Sequence, residues 1–461
     1  MSAPRSLFGK GSTLTSGDMM SRSEAQAFLE RVIKLSKADS IGASLDGGYQ
    51  GNIRFAANRI TTSGGVSNSQ LAVQSGFGAR HAVVTTADFS DAGVERAVRQ
   101  SEALARLAPE DPEHMPLLPP QQYGQVNAWF DSTANLTPEL RAAAARTALD
   151  AARAAGDLAA AGFIIEGTAY NAIASSTGMY AYFPSTNANY QLTVRTTDGT
   201  GSGWAGADHP DWSQIDFKAV SDHAIDKARK SRSPQAVEPG RYTVILEPQA
   251  VGDLVQLLAF ALDARSADEG RSAFSKQGGG TRIGEKIVDP RVTLYSDPAD
   301  PQLLGQPYTF EGLPLGREVW IENGVLKELQ YSRFWAQKKG ARPNGGLGAV
   351  KMVGGDSTTE QMIASTDRGI LVTRLWYLRQ VDPRTVLYTG LTRDGTFLIE
   401  NGKITRAVKN LRFNESPLFM LNNLEMLGRA VRVAGTEAGG NVVFPAIKVK
   451  DFDFTSLSDA V

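Results

Sequence analysis

Cysteine is absent from this chain of 461 residues, and histidine occurs only four times. Without a thiol, the chain can form no disulfide, no thiolate metal site and no cysteine nucleophile, and this absence fits a reducing compartment. The histidines are His81, His114, His209 and His223. A metal site or catalytic dyad built on histidine is therefore excluded from the part of the chain beyond residue 223.

The sequence also lacks an excess of either charge and any long apolar run. Lysine and arginine number 48 against 49 aspartate and glutamate residues, a formal net charge of -1. This balance gives no sign of the clustered positive charge that binds phosphates, so we expect no nucleic-acid partner. No stretch approaches the length of uninterrupted apolar residues that spans a bilayer, so we expect no membrane partner. The expected location is the cytoplasm.

The length of the chain and the breaks in its pattern predict two domains. With 461 residues, 42% of them hydrophobic, the chain is too long for one ordinary core. Residues 1–20 are rich in glycine and serine and lack the apolar core of a secretory signal, so we expect a disordered tail. Ser-Arg-Ser-Pro and Glu-Pro-Gly interrupt the pattern between residues 231 and 240. The predicted domains cover residues 21–232 and 240–461.

The first predicted domain combines helical and strand patterns. Ser21 and Glu24 have the spacing of a capping box, and Thr137-Pro138 suits the start of another helix. Two alternating runs separated by Asp46-Gly47-Gly48 predict a hairpin. The expected helices follow Ser21, cover 94–105, run from Thr137 to about 155 and cover 217–230. The expected strands cover 41–45, 53–57, 71–75, 159–166, 169–175 and 190–196.

The second predicted domain is rich in strands. Glu322-Asn323-Gly324 and Glu400-Asn401-Gly402 each lie between two strand patterns, and Asn-Gly is a strong hairpin signal. One helix is expected over 248–264. The expected strands cover 242–246, 292–295, 317–322, 325–329, 371–378, 396–400 and 403–407. The predicted fold class is therefore α+β, with an N-terminal α/β domain followed by a β-rich, barrel-like or sandwich-like domain.

Several short motifs occur in a fixed order along the chain, and together they resemble the TldD/PmbA peptidase family. The likeness covers most of residues 21–461 and is densest after residue 240, where the later motifs are closer to the PmbA (TldE) branch. The motifs are Arg54-Phe55-Ala56-Ala57-Asn58-Arg59-Ile60, Gly76-Phe77-Gly78-Ala79-Arg80, Ser272-Ala273-Phe274-Ser275, Arg282-Ile283-Gly284-Glu285-Lys286, Gln361-Met362-Ile363, Gly369-Ile370-Leu371-Val372-Thr373 and the two Glu-Asn-Gly turns.

The resemblance also locates a zinc motif that this chain lacks. Catalytic members of the family carry His-Glu-x-x-x-His after a pair of leucines, and here those positions read Ala259, Phe260 and Ala264. The family's third ligand, a cysteine near the C-terminus, corresponds to Ala434. Zinc needs ligands with lone pairs, and hydrolysis also needs a base. The resemblance therefore implies a degenerate site around Ala259, Phe260, Asp263, Ala264 and Ala434, with no catalytic and no metal-ligating residue.

The implied function is that of a partner subunit. The resemblance implies a heterodimer in which a TldD-like catalytic subunit holds the zinc, while this chain binds no cofactor and helps to enclose unfolded or small peptides. Two alternatives remain open. The chain forms a homodimer or larger homo-oligomer that binds peptide as a scaffold, or it is a metallopeptidase with ligands that the sequence does not reveal. The family's older label, modulator of DNA gyrase, gains no support from the charge balance as direct DNA binding.

Overall fold

The computed structural model of this chain describes residues 19–435 and 437–458. Helices make up 24% and strands 41%, which confirms the α+β class with a β-rich part. Residues 1–18 of the predicted tail lie outside the described residues. Met20, in contrast, belongs to a buried apolar cluster. Met20 is buried, and its carbonyl accepts a hydrogen bond of 2.7 Å from the Tyr182 hydroxyl. Met20, which the sequence analysis assigned to the tail, therefore packs within the fold.

The helices and strands of the described residues are numbered in chain order. The helices are α1 (Arg22–Leu35), α2 (Asp91–Leu107), α3 (Asp131–Ala134), α4 (Pro138–Ala155), α5 (Phe217–Lys230), α6 (Pro248–Val255), α7 (Leu258–Ala261), α8 (Ala264–Asp268), α9 (Arg333–Lys339), α10 (Thr359–Ala364) and α11 (Pro417–Asn422). The strands are β1 (Ser40–Ala56), β2 (Arg59–Phe77), β3 (Arg80–Thr86), β4 (Leu158–Ser175), β5 (Tyr180–Thr196), β6 (Ser202–His209), β7 (Gly240–Leu246), β8 (Leu294–Ser296), β9 (Glu318–Glu322), β10 (Val325–Leu326), β11 (Val350–Met352), β12 (Arg368–Asp382), β13 (Leu387–Glu400), β14 (Lys403–Ala407), β15 (Leu411–Glu415), β16 (Leu424–Arg432) and β17 (Val442–Leu457).

The first sheet is antiparallel, in the order β3-β2-β1-β4-β5-β6. Helices α1 and α2 pack on one end of it, around buried Phe28 and Val98. Helices α4 and α5 pack on the other end, around buried Leu149 and Ile225. Apolar residues at helical spacing and at alternate strand positions therefore meet on the same face of the sheet.

The predicted hairpin around Asp46-Gly47-Gly48 is wrong, because these residues lie in the middle of the long strand β1. A side chain at Gly47 would overlap Ser69 and Tyr170, and one at Gly48 would overlap the Thr168 carbonyl. The glycines therefore serve close packing inside a strand, where the sequence pattern suggested a turn. Similarly, the separate strands expected at 159–166 and 169–175 form the single strand β4.

The second sheet contains a closed ring of strands. Its order is β10-β9-β8-β11-β17-β15-β13-β12-β7, and β17 also pairs with β7. The ring β7-β12-β13-β15-β17 is thus complete, which agrees with the barrel-like expectation. Helix α6 packs against β12 and β17 of this ring, and buried apolar side chains such as Leu254 and Phe444 form its main core.

Local signals in the sequence correctly placed several turns and caps. The capping box of Ser21 and Glu24 opens α1, and Thr137 caps α4 with proline in its first turn. Both Asn-Gly pairs join antiparallel strands, β9 to β10 and β13 to β14. Asn323 and Asn401 have φ of 50° and 49°, the left-handed conformation that hairpin turns of this kind require.

Side chains from the two sheets contact each other at several points. Lys227 on α5 donates to Glu247, just after β7, at 2.5 Å, and both side chains are largely buried. The Tyr308 hydroxyl donates to the Asn171 carbonyl at 2.9 Å. Arg265 pairs with Glu113 at 2.7 Å.

Among the described helices, none is both long enough and apolar enough to cross a membrane.

Candidate functional site

The segment that corresponds to the zinc motif does not form one helix. A single helix was expected over 248–264, but the chain forms α6, α7 and α8 with turns between them. The expected helix is interrupted because Gln330 forms hydrogen bonds with the backbone of this segment. Its carbonyl accepts from the Ala264 N–H at 3.0 Å, its N–H donates to the Leu262 carbonyl at 2.7 Å, and its amide donates to the Ala259 carbonyl at 2.8 Å. These bonds replace those that a continuous helix would make.

The four positions in this segment have different environments. Ala259 lies on α7 and is partly buried, whereas Ala264 begins α8 and is fully buried. Phe260, at the position of the family's glutamate, is 75% exposed. Asp263 is extended between the two helices, and its carboxylate accepts from the Ser266 N–H at 2.7 Å as the cap of α8. Asp263 therefore has a structural role in the described residues.

Ala434 lies in the loop after β16, at the boundary between the two sheets. It is fully buried, its N–H donates to the Gln249 side chain at 3.0 Å, and its carbonyl accepts from Asn189 at 3.2 Å. Gln249 belongs to α6, whereas Asn189 belongs to β5 of the first sheet. Ala434 thus contacts the helix that precedes Ala259 and Ala264.

Asp253 is the buried acidic residue that holds this loop, and our sequence interpretation missed it. Its carboxylate accepts from the Gln249 amide at 2.7 Å, the Ala438 N–H at 3.1 Å and the Leu375 N–H at 3.1 Å. Burial raises the pKa of Asp253 to about 7, and the three N–H donors and nearby Arg374 oppose a larger rise. One signal was available: a lone carboxylate within the apolar run 250–258 needs partners if that run is buried.

We expect stability to fall with rising pH because of Asp253. A carboxyl whose pKa is higher in the folded state contributes stability that is present below its unfolded value of 3.8 and is lost as pH rises through about 7. The difference between the folded and the unfolded pKa of Asp253 corresponds to about 4 kcal/mol in the free energy of unfolding. Asp253→Asn removes this component, so its unfolding free energy should vary less between pH 4 and pH 8, as measured by urea titration at each pH.

A second carboxyl provides the control for this measurement. Burial also raises the pKa of Glu415 to about 7, and this side chain accepts from the Ser416 and Asp453 N–H groups, away from the Ala434 loop. Glu415→Gln should also reduce the pH dependence, because it too removes a carboxyl whose pKa is raised by burial. Equal pH dependence in Asp253→Asn and in the unchanged chain would contradict the prediction.

The residues at the family's ligand positions do not fit a zinc ion. Ala259, Ala264 and Ala434 offer no lone pair, and Phe260 offers no base. Within 19–435 and 437–458, no group of three His, Asp or Glu side chains is arranged to hold a metal. The acidic residues near Asp263 are engaged elsewhere: Asp268 accepts from the Trp335 indole at 2.8 Å, and Glu269 pairs with Arg265 at 3.0 Å.

Two of the cavities lie between the parts of the chain that carry the two sheets, a usual location for a ligand site. One, of about 500 Å³, is lined by Ser202 of β6, Thr200 from the connection before it and Asp394 of β13. The Ser202 hydroxyl donates to Asp394 at 2.6 Å. The other, of about 430 Å³, is lined by His81 of β3, by Asp111 and His114 from the segment after α2, by Phe310 and Glu311 from the segment before β9, and by Arg333 of α9. Neither of these two cavities is lined by the alanines of the degenerate motif.

Known proteins with similar sequences include several that are named metalloproteases. A metalloprotease of Methanothermobacter thermautotrophicus is 25% identical over 236 residues, which are 47% of this chain and 49% of that protein. The metalloprotease PmbA of Escherichia coli O157:H7 is 24% identical over 173 residues, 36% of this chain and 37% of that protein. The chain thus spans about half the length, or less, of these relatives.

A solved structure and two family models show similarity over more of the chain. The structure of TldE from Thermococcus kodakarensis superposes with a TM-score of 0.81 at 17% identity, covering 93% of this chain and 99% of that one. The model of the PmbA/TldA metallopeptidase central domain matches residues 131–232, and that of the C-terminal domain matches residues 239–456. Together the two models cover more than half of the sequence. The chain therefore belongs to the PmbA/TldD metallopeptidase family.

Proposed function

We propose that this chain is a non-catalytic, TldE/PmbA-like subunit of a zinc metallopeptidase complex that acts on unfolded or small peptides. The observation that carries the proposal is the joint loss of all three ligands and the base at Ala259, Ala264, Ala434 and Phe260. In this complex a TldD-like catalytic subunit holds the zinc and carries out the hydrolysis. This chain binds no cofactor and supplies part of the peptide-binding enclosure.

The packing around the lost ligands supports this proposal. Ala264 and Ala434 are fully buried, and the backbone N–H of each is already hydrogen-bonded. A histidine or cysteine at either position would have to displace packed neighbours, which costs about 1–3 kcal/mol or more. In this proposal the protein's own core fills the space of the site and leaves no open coordination position for a metal and its water.

The exposed side of the same segment suits contact with a peptide. The turn that carries Phe260 is fixed by the bond from Gln330 to Ala259 and by a bond of 2.7 Å from the Ser272 hydroxyl to the Ala261 carbonyl. A large apolar side chain, exposed on a fixed backbone, pays little conformational entropy when it binds. We place Phe260 on the wall that faces an unfolded peptide in the assembled complex.

The test is cleavage of a fluorogenic unfolded peptide by the purified chain, alone and mixed with a TldD-like protein from the same genome. We expect negligible cleavage by this chain alone and robust cleavage by the mixture, abolished by a chelator. Because the partner supplies the metal, a partner variant with Gln in place of the motif glutamate should remain bound to this chain but inactive. This variant separates assembly from chemistry.

Other results would favour one of the two alternative functions. Chelator-sensitive cleavage by this chain alone would contradict the proposal and indicate a metallopeptidase with its own ligands. Peptide binding without any complex with a TldD-like protein would favour a homo-oligomeric scaffold. We place the complex in the cytoplasm, because a chain without cysteine suits a reducing compartment.

A further inference from the structure

One face of the first sheet is only partly covered. The face that packs against α1 and α2 carries buried residues such as Leu45 and Val73. The residues that follow them, Asp46 of β1 and Gln74 of β2, point to the opposite face and are exposed. Val83 of β3 lies opposite Gln74 and is 54% exposed. Part of this second face is therefore not covered by the described residues.

A turn that precedes β9 covers the neighbouring part of this face. The Tyr308 hydroxyl donates to the Asn171 carbonyl of β4 at 2.9 Å and anchors the turn on the sheet. The Thr309 N–H donates to the Leu313 carbonyl at 2.9 Å, so the chain reverses direction between them. Phe310 follows Thr309 at the tip and is 88% exposed. The turn is therefore fixed to the sheet and presents its tip to solvent.

Three cavities lie along this turn and share lining residues. The first is the cavity of about 430 Å³ described above. The second, of about 240 Å³, shares Asn344 and Gly345 with the first. The third, of about 340 Å³, shares Gln306 and Asn441 with the second and reaches Asp46 on the sheet. Because cavities with common walls are neighbours, the three adjoin in a row, and together they are called the turn groove.

The lining of the turn groove is acidic. It contains five carboxylates and two guanidinium groups, a net charge of -3 with neutral histidines, whereas the whole chain carries -1. The charged lining residues are Asp46, Asp111, Glu113, Glu311, Glu318, Arg333 and Arg342. The balance stays negative when Arg265, the ion-pair partner of Glu113, is included. A groove of this charge attracts cations and repels anions.

Aromatic and glycine residues of the turn groove suit a peptide with basic side chains. Phe310 and Phe334 line the first cavity beside its carboxylates, and aromatic faces attract lysine and arginine side chains. Gly345, Gly346 and Gly348 line the smaller second cavity. Glycine lets the backbone of a ligand approach closely. The groove thus combines walls for cationic side chains with a stretch that admits a peptide backbone.

We propose that the turn groove binds an extended, basic peptide, with lysine or arginine side chains directed at its carboxylates. The inference rests on the proposed function, because it names the class of unfolded peptide that this subunit encloses. The first and third cavities lie at opposite ends of the row, so one peptide contacts Glu311 at one end and Asp46 at the other. An acidic peptide meets like charges along the groove and is rejected.

Fluorescence anisotropy with three labelled peptides of about nine residues tests the proposal. The peptides share one unfolded sequence and carry three lysines, three glutamines or three glutamates. We expect the full chain to bind the lysine peptide at least tenfold more tightly than the glutamine peptide at low salt, and to bind the glutamate peptide most weakly. The preference should largely disappear near 1 M salt, where the Debye length is about 3 Å. Equal affinity for the lysine and glutamine peptides at low salt would overturn the proposal.

Two neutral variants locate the peptide. Glu311→Gln and Asp46→Asn each remove one carboxylate, at opposite ends of the groove, and each should weaken binding of the lysine peptide about threefold. Both residues are exposed, so circular dichroism should show an unchanged fold. Glu30→Gln is the matched control, because it removes the same charge from an exposed position of α1, on the covered face of the sheet, and should not alter binding.

The pattern of effects decides whether one peptide spans the groove. Weaker binding in both Glu311→Gln and Asp46→Asn, with no change in Glu30→Gln, would support the proposal. An effect of only one groove variant would mean that the peptide does not extend along the groove. Equal binding by all three variants and the unchanged chain would place the peptide elsewhere. Either of the last two results would overturn the proposal.

This inference and the proposed function can fail separately. With a TldD-like protein, the mixture should cleave the lysine peptide faster than the glutamine peptide, and Glu311→Gln should reduce that difference. Chelator-sensitive cleavage of both peptides at the same rate would overturn the inference and leave the proposed function in place. Preferential binding of the lysine peptide, without cleavage by the mixture, would support the inference and contradict the proposed function.

Discussion

Glu166→Ala should destabilise this protein by about 3–5 kcal/mol, the usual cost of leaving a buried charge without its partner. Glu166 on β4 forms an ion pair with Arg141 on α4, and both side chains are 2% exposed. Gly51 on β1 covers the pair so closely that any side chain there would overlap both groups. With Glu166 removed, the guanidinium stays buried, because α4 holds it against the sheet. Urea unfolding measures the loss.

A double variant separates the pair's own contribution from this penalty. Arg141→Met combined with Glu166→Leu removes both charges and keeps apolar volume, so its stability should be close to that of the unchanged chain. Burial, only partly opposed by Arg141, raises the pKa of Glu166, which indicates that desolvation is a large cost for this pair. A double variant as unstable as Glu166→Ala would contradict this account and show that the ionic contact itself stabilises the fold.

Local sequence signals predicted the elements whose bonds lie within a few residues. Ser21, Thr137 and the two Asn-Gly turns satisfy backbone groups of their own segment, so their positions follow from spacing alone. Glycines in β1 were misread, because the side chains that require them, such as Tyr170, come from β4. Long-range contact of this kind leaves no periodic pattern in one sequence.

The difference between local signals and long-range contacts also applies to the candidate site. The family resemblance located Ala259, Ala264 and Ala434, but their arrangement depends on distant partners. Gln330 breaks the expected helix by bonding to residues about seventy positions earlier. Gln249 reaches Ala434 across 185 positions of sequence. The sequence could therefore indicate the positions of the motif, whereas only the structure shows that Gln330 interrupts the helix and that Asp253 accepts hydrogen bonds from Gln249 and from the loop that follows Ala434.

Arg432→Ala should have a comparably large effect, because one largely buried guanidinium, whose side chain is 9% exposed, joins several segments beside the Ala434 loop. It donates to the Asp208 carboxylate at 2.8 Å and to the Asp208 carbonyl at 3.1 Å, both in the first sheet. It also donates to the carbonyls of Gln302 at 2.8 Å and Gly440 at 3.2 Å. We expect a loss of about 3–5 kcal/mol in urea unfolding, with faster proteolysis of residues 433–441.

Two further variants should distinguish the role of Arg432 from that of the ion pair between Arg141 and Glu166. Arg432→Lys keeps the charge but cannot reproduce a fork of donors, so we expect an intermediate loss. Replacing both Arg432 and Asp208 by apolar residues should not restore stability, because the carbonyls of Gln302 and Leu303 would lose the N–H donor that Arg432 supplies. Full recovery in that double variant would mean that the charge pair alone matters. Failure to recover, together with a protease-sensitive loop, would mean that Arg432 fixes the boundary between the sheets, where the proposed complex encloses its peptide.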